Sequence, residues 1–214
     1  MWWELRAATP FFDVRGLASN GALCRTYVRN GLIHLGTYTV LYGITQWLEA
    51  GPGYSAEAAG LILVPMGALS ALVSGPISRR NLVRGPILAA ALCMLVASVG
   101  MLFLSGTGPV VLAVGVTLLY GIVSGAAAVG NQIALYAQSP PESIGTASGL
   151  FRTFSYTGSI ASATITGLIF HSTVTDSGLH TIAAILVGVG AVVLLMTVLD
   201  PALRDGGLAR WRSG

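Results

Sequence analysis

Gly85-Pro-Ile-Leu-Ala-Ala-Ala-Leu-Cys-Met-Leu-Val-Ala-Ser-Val-Gly-Met-Leu-Phe-Leu-Ser-Gly-Thr-Gly-Pro109 opens a stretch of 57 residues, 85–141, with no charge between Arg84 and Glu142. A helix crosses the hydrocarbon of a bilayer with about 20 apolar residues. This stretch is too long for one crossing. It breaks at Ser105-Gly106-Thr107-Gly108-Pro109, a run of turn formers. Pro109 suits the first turn of a second helix, where its missing N–H costs nothing. Two membrane helices therefore share the stretch.

Four more uncharged spans, 30–48, 58–78, 153–175 and 177–199, have the length of single crossings. The expected architecture is an all-α membrane protein with helices at 31–49, 57–78, 84–104, 109–137, 143–170 and 178–199. Residues 1–30 form a cytoplasmic tail or linker that could lie along the membrane surface, 31–200 the six-helix bundle, and 201–214 a second tail. A membrane barrel would instead show short segments of strict alternation. Composition agrees. Of 214 residues only 9% are charged, against about 25% in an ordinary soluble domain, and mean hydropathy is +0.76. That excludes both a water-soluble surface and a disordered chain.

All 11 basic residues are arginine, and they sort to one side. Arg6, Arg15, Arg25 and Arg29 precede the first helix, Arg79, Arg80 and Arg84 follow the second, Arg152 opens the fifth, and Arg204, Arg210 and Arg212 close the chain. The opposite side has Glu49, Glu57 and Asp176. The positive-inside rule puts both termini in the cytoplasm and the bundle in the plasma (inner) membrane. No Asp or Glu falls inside the spans. Proton coupling, which needs an ionisable group in the cavity, would therefore draw on residues outside this chain.

Polar residues pick out three helices. The first has His34, Tyr38, Tyr42 and Gln46 at four-residue steps, which keeps them on one face. The fourth has Tyr120, Ser124, Asn131 and Gln132, and the fifth Ser155, Tyr156, Ser159, Ser162 and Thr166. These three read as interior, the third and sixth as lipid-facing. The period of three is that of a 3+3 inverted repeat, common in secondary transporters. Gly121 with Gly125, Gly145 with Gly149, and Gly158 with Ser162 have the spacing of close helix crossings.

Several segments resemble a known family in order and over nearly the whole chain. Gly53-Tyr-Ser-Ala-Glu-Ala-Ala-Gly60-Leu-Ile-Leu-Val-Pro65-Met66 is similar to the start of the second helix of the C-terminal half of major facilitator superfamily transporters. The fourteen-helix drug/proton antiporters are the branch it resembles. Tyr42-Gly-Ile-Thr-Gln46-Trp47-Leu48 resembles the end of that half's first helix. Gly145-Thr-Ala-Ser148-Gly149-Leu150 with Gly158-Ser-Ile-Ala161 resembles its fifth, and Trp2-Trp3-Glu4-Leu5-Arg6 the linker before it. Gly75, Arg79 and Arg84 fit the family's cytoplasmic gating loop, while Ser78 stands where the family has an acid.

The resemblance implies the C-terminal half of a secondary active, proton-coupled multidrug or small-molecule efflux transporter. Its partners would be the lipid bilayer, an apolar or cationic substrate, and an N-terminal half of six or eight helices in the same or another chain. The chain itself is expected to be a truncated frame, a split-transporter subunit or a dimerising half. Tyr38, Tyr42, Gln46, Tyr120 and Tyr156 are the candidate substrate wall. Arg152, on the order of 13 Å along its helix, either snorkels to the inner surface or binds an anionic group at the cavity mouth. No cofactor, metal or nucleic-acid motif is present in the sequence. Nucleophile–base pairs and metal-ligand spacings are missing too, so a membrane enzyme is not expected. A non-transporting scaffold is the competing class.

Overall fold

The computed structural model describes residues 20–204. It is all-helical: α1 Gly21–Ala50, α2 Ala56–Arg79, α3 Arg84–Met101, α4 Val110–Gln138, α5 Ile144–Ile169 and α6 Asp176–Leu199. Short 3-10 turns, Pro141–Ser143 and Pro201–Leu203, precede α5 and follow α6. Five helices keep the expected bounds to within three residues.

The first helix does not. It begins at Gly21, ten residues before the expected start. Asn20 caps it, its Oδ1 accepting from the Leu23 N–H at 3.2 Å. Arg25 and Arg29 therefore sit on the helix and not in a tail. Counting uncharged positions misplaced the boundary because these charges are paired within the bundle, as described below. The expected tail segments 1–19 and 205–214 lie outside the described residues.

Four helices, α2, α3, α4 and α6, are long and apolar enough to cross a membrane. The two that fall short, α1 and α5, are also long, at 30 and 26 residues. Their hydropathy is lowered by the polar seams already noted in the sequence.

α1, α6, α3 and α4 form a closed core in which each packs against the next, and α1 also meets α4. α5 lies on the outside of α1, and α2 on the outside of α4. Ile44, Met94, Met101, Tyr120, Ile182 and Leu186 fill the centre. The third and sixth helices are thus not apolar surfaces alone: Ala90, Met94 and Ala97 of α3, with Ile182, Leu186 and Val193 of α6, are fully buried. The fifth is less interior than its seam implied, since Tyr156, Ile160 and Leu168 are exposed.

Lipid tails are as apolar as leucine, so helices in a bilayer associate through close packing of small residues. Two outer pairs use glycine in this way. A Cβ on Gly158 of α5 would strike the Gly31 carbonyl of α1. One on Gly121 of α4 would lie 2.7 Å from the Met66 carbonyl of α2, and one on Gly125 would strike that of Ser70. Gly145 and Gly149 have nothing within 4 Å, so that spacing marks no crossing here.

Candidate functional site

α1 turns a row of rings to one side. Ring centroids are 6.2 Å apart for His34 and Tyr38, and 5.8 Å for Tyr38 and Tyr42. His34 and Tyr38 are half-buried; Tyr42 and Gln46 are exposed. Two clefts run beside this row and share His34 and Ala128, so they form one groove. The larger, about 730 Å³, is lined by Thr37, Tyr38 and Leu41 of α1, Ser70 of α2 and Ser124 of α4. The other, about 600 Å³, is lined by Asn30 of α1, Gln132 and Tyr136 of α4, and Ser148, Arg152 and Ser155 of α5.

The predicted wall is only partly assembled. Tyr38 lines the groove, with Tyr42 one turn further along the same row. Gln46 is exposed two turns beyond Tyr38. Tyr156 is 63% exposed but lines neither cleft. Tyr120 does not join them. It is fully buried, and its hydroxyl lies 3.0 Å from Ser98 Oγ of α3. A phenol in a core needs a hydrogen-bond partner, and Ser98 is that partner. Tyr120 is a helix contact.

His34 and Tyr136 are the groove residues that sequence reading passed over. For His34 the four-residue spacing to Tyr38 was the available signal.

The gating-loop residues form a compact helix stop. Asn81 adopts φ 49°, the left-handed conformation that asparagine tolerates. The Asn81 N–H donates to Ser78 and the Leu82 N–H to Ile77, each at 3.2 Å. Gly75, Ser78 and Arg79 are exposed and Arg84 is half-buried. Among the described residues neither Arg79 nor Arg84 is in an ion pair.

The ion pairs lie elsewhere, at the end of the bundle where α1 starts and α6 stops. Arg29 is fully buried. Its Nε donates to Asn131 Oδ1 of α4 at 2.8 Å, and its Nη1 to Asp200 Oδ2 at 3.1 Å. Arg25 Nε reaches Asp200 Oδ1 at 2.9 Å. Thr26 donates to Gln138 of α4 at 2.8 Å. Three helices are tied together there, and Arg25, Thr26 and Arg29 come from the segment expected to be a tail. At the opposite end Asp176 accepts from Trp47 Nε1 of α1 at 2.7 Å and from the Gly106 N–H at 3.0 Å.

A helical bundle clamped at both ends, with a ring-lined groove along one side, has the form of a membrane transport domain. The model of the Major Facilitator Superfamily matches residues 6–163. Over 207 residues the chain is 32% identical to the uncharacterized MFS-type transporter YwoD of Bacillus subtilis (strain 168), covering 95% of this chain and 46% of that protein. The chain therefore belongs to the Major Facilitator Superfamily, whose members are transporters and not enzymes. It spans about half the length of the curated relative it matches.

Proposed function

We propose that the chain is the C-terminal half of a secondary active transporter, with six membrane-crossing helices and both termini in the cytoplasm of a plasma membrane. It works with an N-terminal half of six or eight helices, in the same or another chain. The observation that carries this reading is the groove between α1 and α4. It is lined from one side only, and its flanking helices α2 and α5 expose Leu61, Val64 and Leu72, and Ile160 and Leu168. A second half closing over it would complete a cavity and cover those side chains. The substrate is a small amphipathic molecule whose apolar body lies on Tyr38 and Tyr42, with Gln46 further along α1 and the exposed Tyr156 on α5. Aromatic faces with polar tips suit such a ligand.

The helix pairing supports an inverted 3+3 repeat. Exchange α1 with α4, α2 with α5 and α3 with α6. The α1–α5 pair becomes the α4–α2 pair, and the α3–α6 pair maps onto itself; these are among the most extensive packings in the bundle. Both outer pairs also cross on glycine, Gly158 in one and Gly121 with Gly125 in the other. Efflux and a proton as coupling ion are what the family resemblance implies. None of the described Asp or Glu residues lines the groove, so the coupling carboxylates would belong to the other half.

The test is flux in proteoliposomes under an imposed pH gradient, for the chain alone and co-expressed with any coding sequence upstream of it. Flux that needs the second half and falls in Tyr38→Ala and Tyr42→Ala is expected. If every combination is silent and the purified chain neither dimerises nor binds an amphipathic dye, the scaffold reading replaces this one.

A further inference from the structure

Among the described residues, the cleft joining α1, α4 and α5 is charged in one sense only. Arg152 lines it, is exposed, and makes no hydrogen bond or ion pair among the described residues. It is the ninth residue of α5, about 12 Å from the helix start at 1.5 Å per residue. Gln132 Nε2 donates to Tyr136 Oη at 2.8 Å, which leaves the phenol proton to donate elsewhere. His34 Nδ1 lies 2.9 Å from the Asn30 carbonyl. A carbonyl only accepts, so Nδ1 holds the hydrogen and Nε2 is the ring atom outside that bond. Ser155 is already used, accepting from Asn30 and donating to Phe151. None of the described acids, Glu49, Glu57, Glu142, Asp176 and Asp200, lines either cleft. Among the described residues a cation would find ring faces here and no counter-charge.

We infer that this cleft holds the anionic head of an amphipathic substrate, a carboxylate, sulfonate or phosphate. Arg152 supplies the charge and a planar fork of donors suited to an oxyanion. Tyr136 adds a hydroxyl donor. The apolar body then runs along α1 toward Tyr38 and Tyr42. The inference rests on the groove being half of a transport site, and it replaces the apolar or cationic substrate expected from family resemblance with an anionic one. The other use of Arg152, snorkelling its head to the membrane surface, would leave ligand binding indifferent to the side chain.

Two probes with one ring and opposite fixed charges decide it: pyrene-1-sulfonate and pyrenylmethyl-trimethylammonium. Each is titrated by fluorescence anisotropy into the full chain in nanodiscs, with empty discs as blank. The sulfonate should bind more tightly than the ammonium. Arg152→Gln should weaken the sulfonate about tenfold, the worth of a charged hydrogen bond, and leave the ammonium unweakened. Arg152→Lys should restore part of the loss. Because Arg152 has no partner to lose among the described residues, helical circular dichroism should be unchanged in both variants. Unchanged sulfonate affinity in Arg152→Gln overturns the inference. So does tighter binding of the ammonium than of the sulfonate, which would leave the transport site standing. Binding of neither probe to a chain that keeps its helicity overturns this inference and leaves the transport site to the flux measurement with the second half.

Discussion

Arg29 and Asp200 form a fully buried ion pair, Nη1 to Oδ2 at 3.1 Å, that joins the start of α1 to the stop of α6. Asp200 also holds Arg25 and accepts from the Ala202 N–H at 3.2 Å, so one carboxylate fixes two arginines and the turn after α6. Removing one partner of a buried pair strands the other charge and costs about 3–5 kcal/mol. Asp200→Asn should therefore lower the thermal unfolding midpoint in detergent sharply. Arg29→Met should cost less, because Asp200 keeps Arg25. Equal losses in the two variants would contradict this ordering.

Glycine spacing gives a second, internally controlled prediction. Gly125→Ala drives a methyl into the Ser70 backbone, and Gly158→Ala into that of Gly31. Neither backbone yields as a flexible side chain does, and overpacking of this kind costs about 1–3 kcal/mol. Gly145→Ala and Gly149→Ala meet nothing within 4 Å. They should be neutral or stabilising by up to about 1 kcal/mol through helix propensity. Thermal unfolding of the four variants side by side checks the contrast.

What was legible in the sequence followed from the bilayer. Uncharged length fixed five helices closely, because a span flanked by charges has few places to end. The same rule failed at α1. It treats every arginine as a boundary, whereas Arg29 stays inside the bundle by borrowing Asp200, Asn131 and Thr26. Asp200 and Asn131 are far away in sequence, and no local pattern announces them. The candidate site divided on similar grounds. The steps from His34 to Tyr38 to Tyr42 put them on one face, and the groove lies along it. Tyr120 sits at comparable depth, but which way a residue of α4 faces depends on where α3 packs, and Ser98 decided it.

Separating Tyr120 from the groove yields a third prediction. Tyr120→Phe removes the hydroxyl bonded to Ser98 and keeps the ring. It should cost about 1 kcal/mol of stability, the net worth of an ordinary hydrogen bond. Affinity for an amphipathic fluorescent ligand should not change. Tyr38→Ala should do the reverse, weakening the ligand while leaving the unfolding midpoint nearly untouched, since Tyr38 is half-buried on the open side. Anisotropy titration and thermal unfolding on the same samples separate the two roles. A loss of binding in Tyr120→Phe would return it to the site.

The other end of the bundle offers the last prediction. Asp176 receives the Trp47 indole N–H at 2.7 Å and the Gly106 N–H at 3.0 Å, linking α1, the α3–α4 turn and the start of α6. Its negative charge also sits at a helix N-terminus, where the dipole favours it. Asp176→Ala leaves the 2%-exposed Trp47 with an unpaired indole N–H. Hydrogen bonds to charged groups are worth about 1.5–3 kcal/mol, so a loss of that size is expected. Asp176→Asn keeps an acceptor oxygen and should recover part of it. With Trp2, Trp3 and Trp211 replaced by Phe, Trp47 reports locally: its emission should shift and become more accessible to acrylamide in Asp176→Ala. An unmoved spectrum with an unmoved midpoint would mean that the end of the bundle is held by apolar packing of Leu48, Leu104 and Leu179 alone, and that the carboxylate is dispensable.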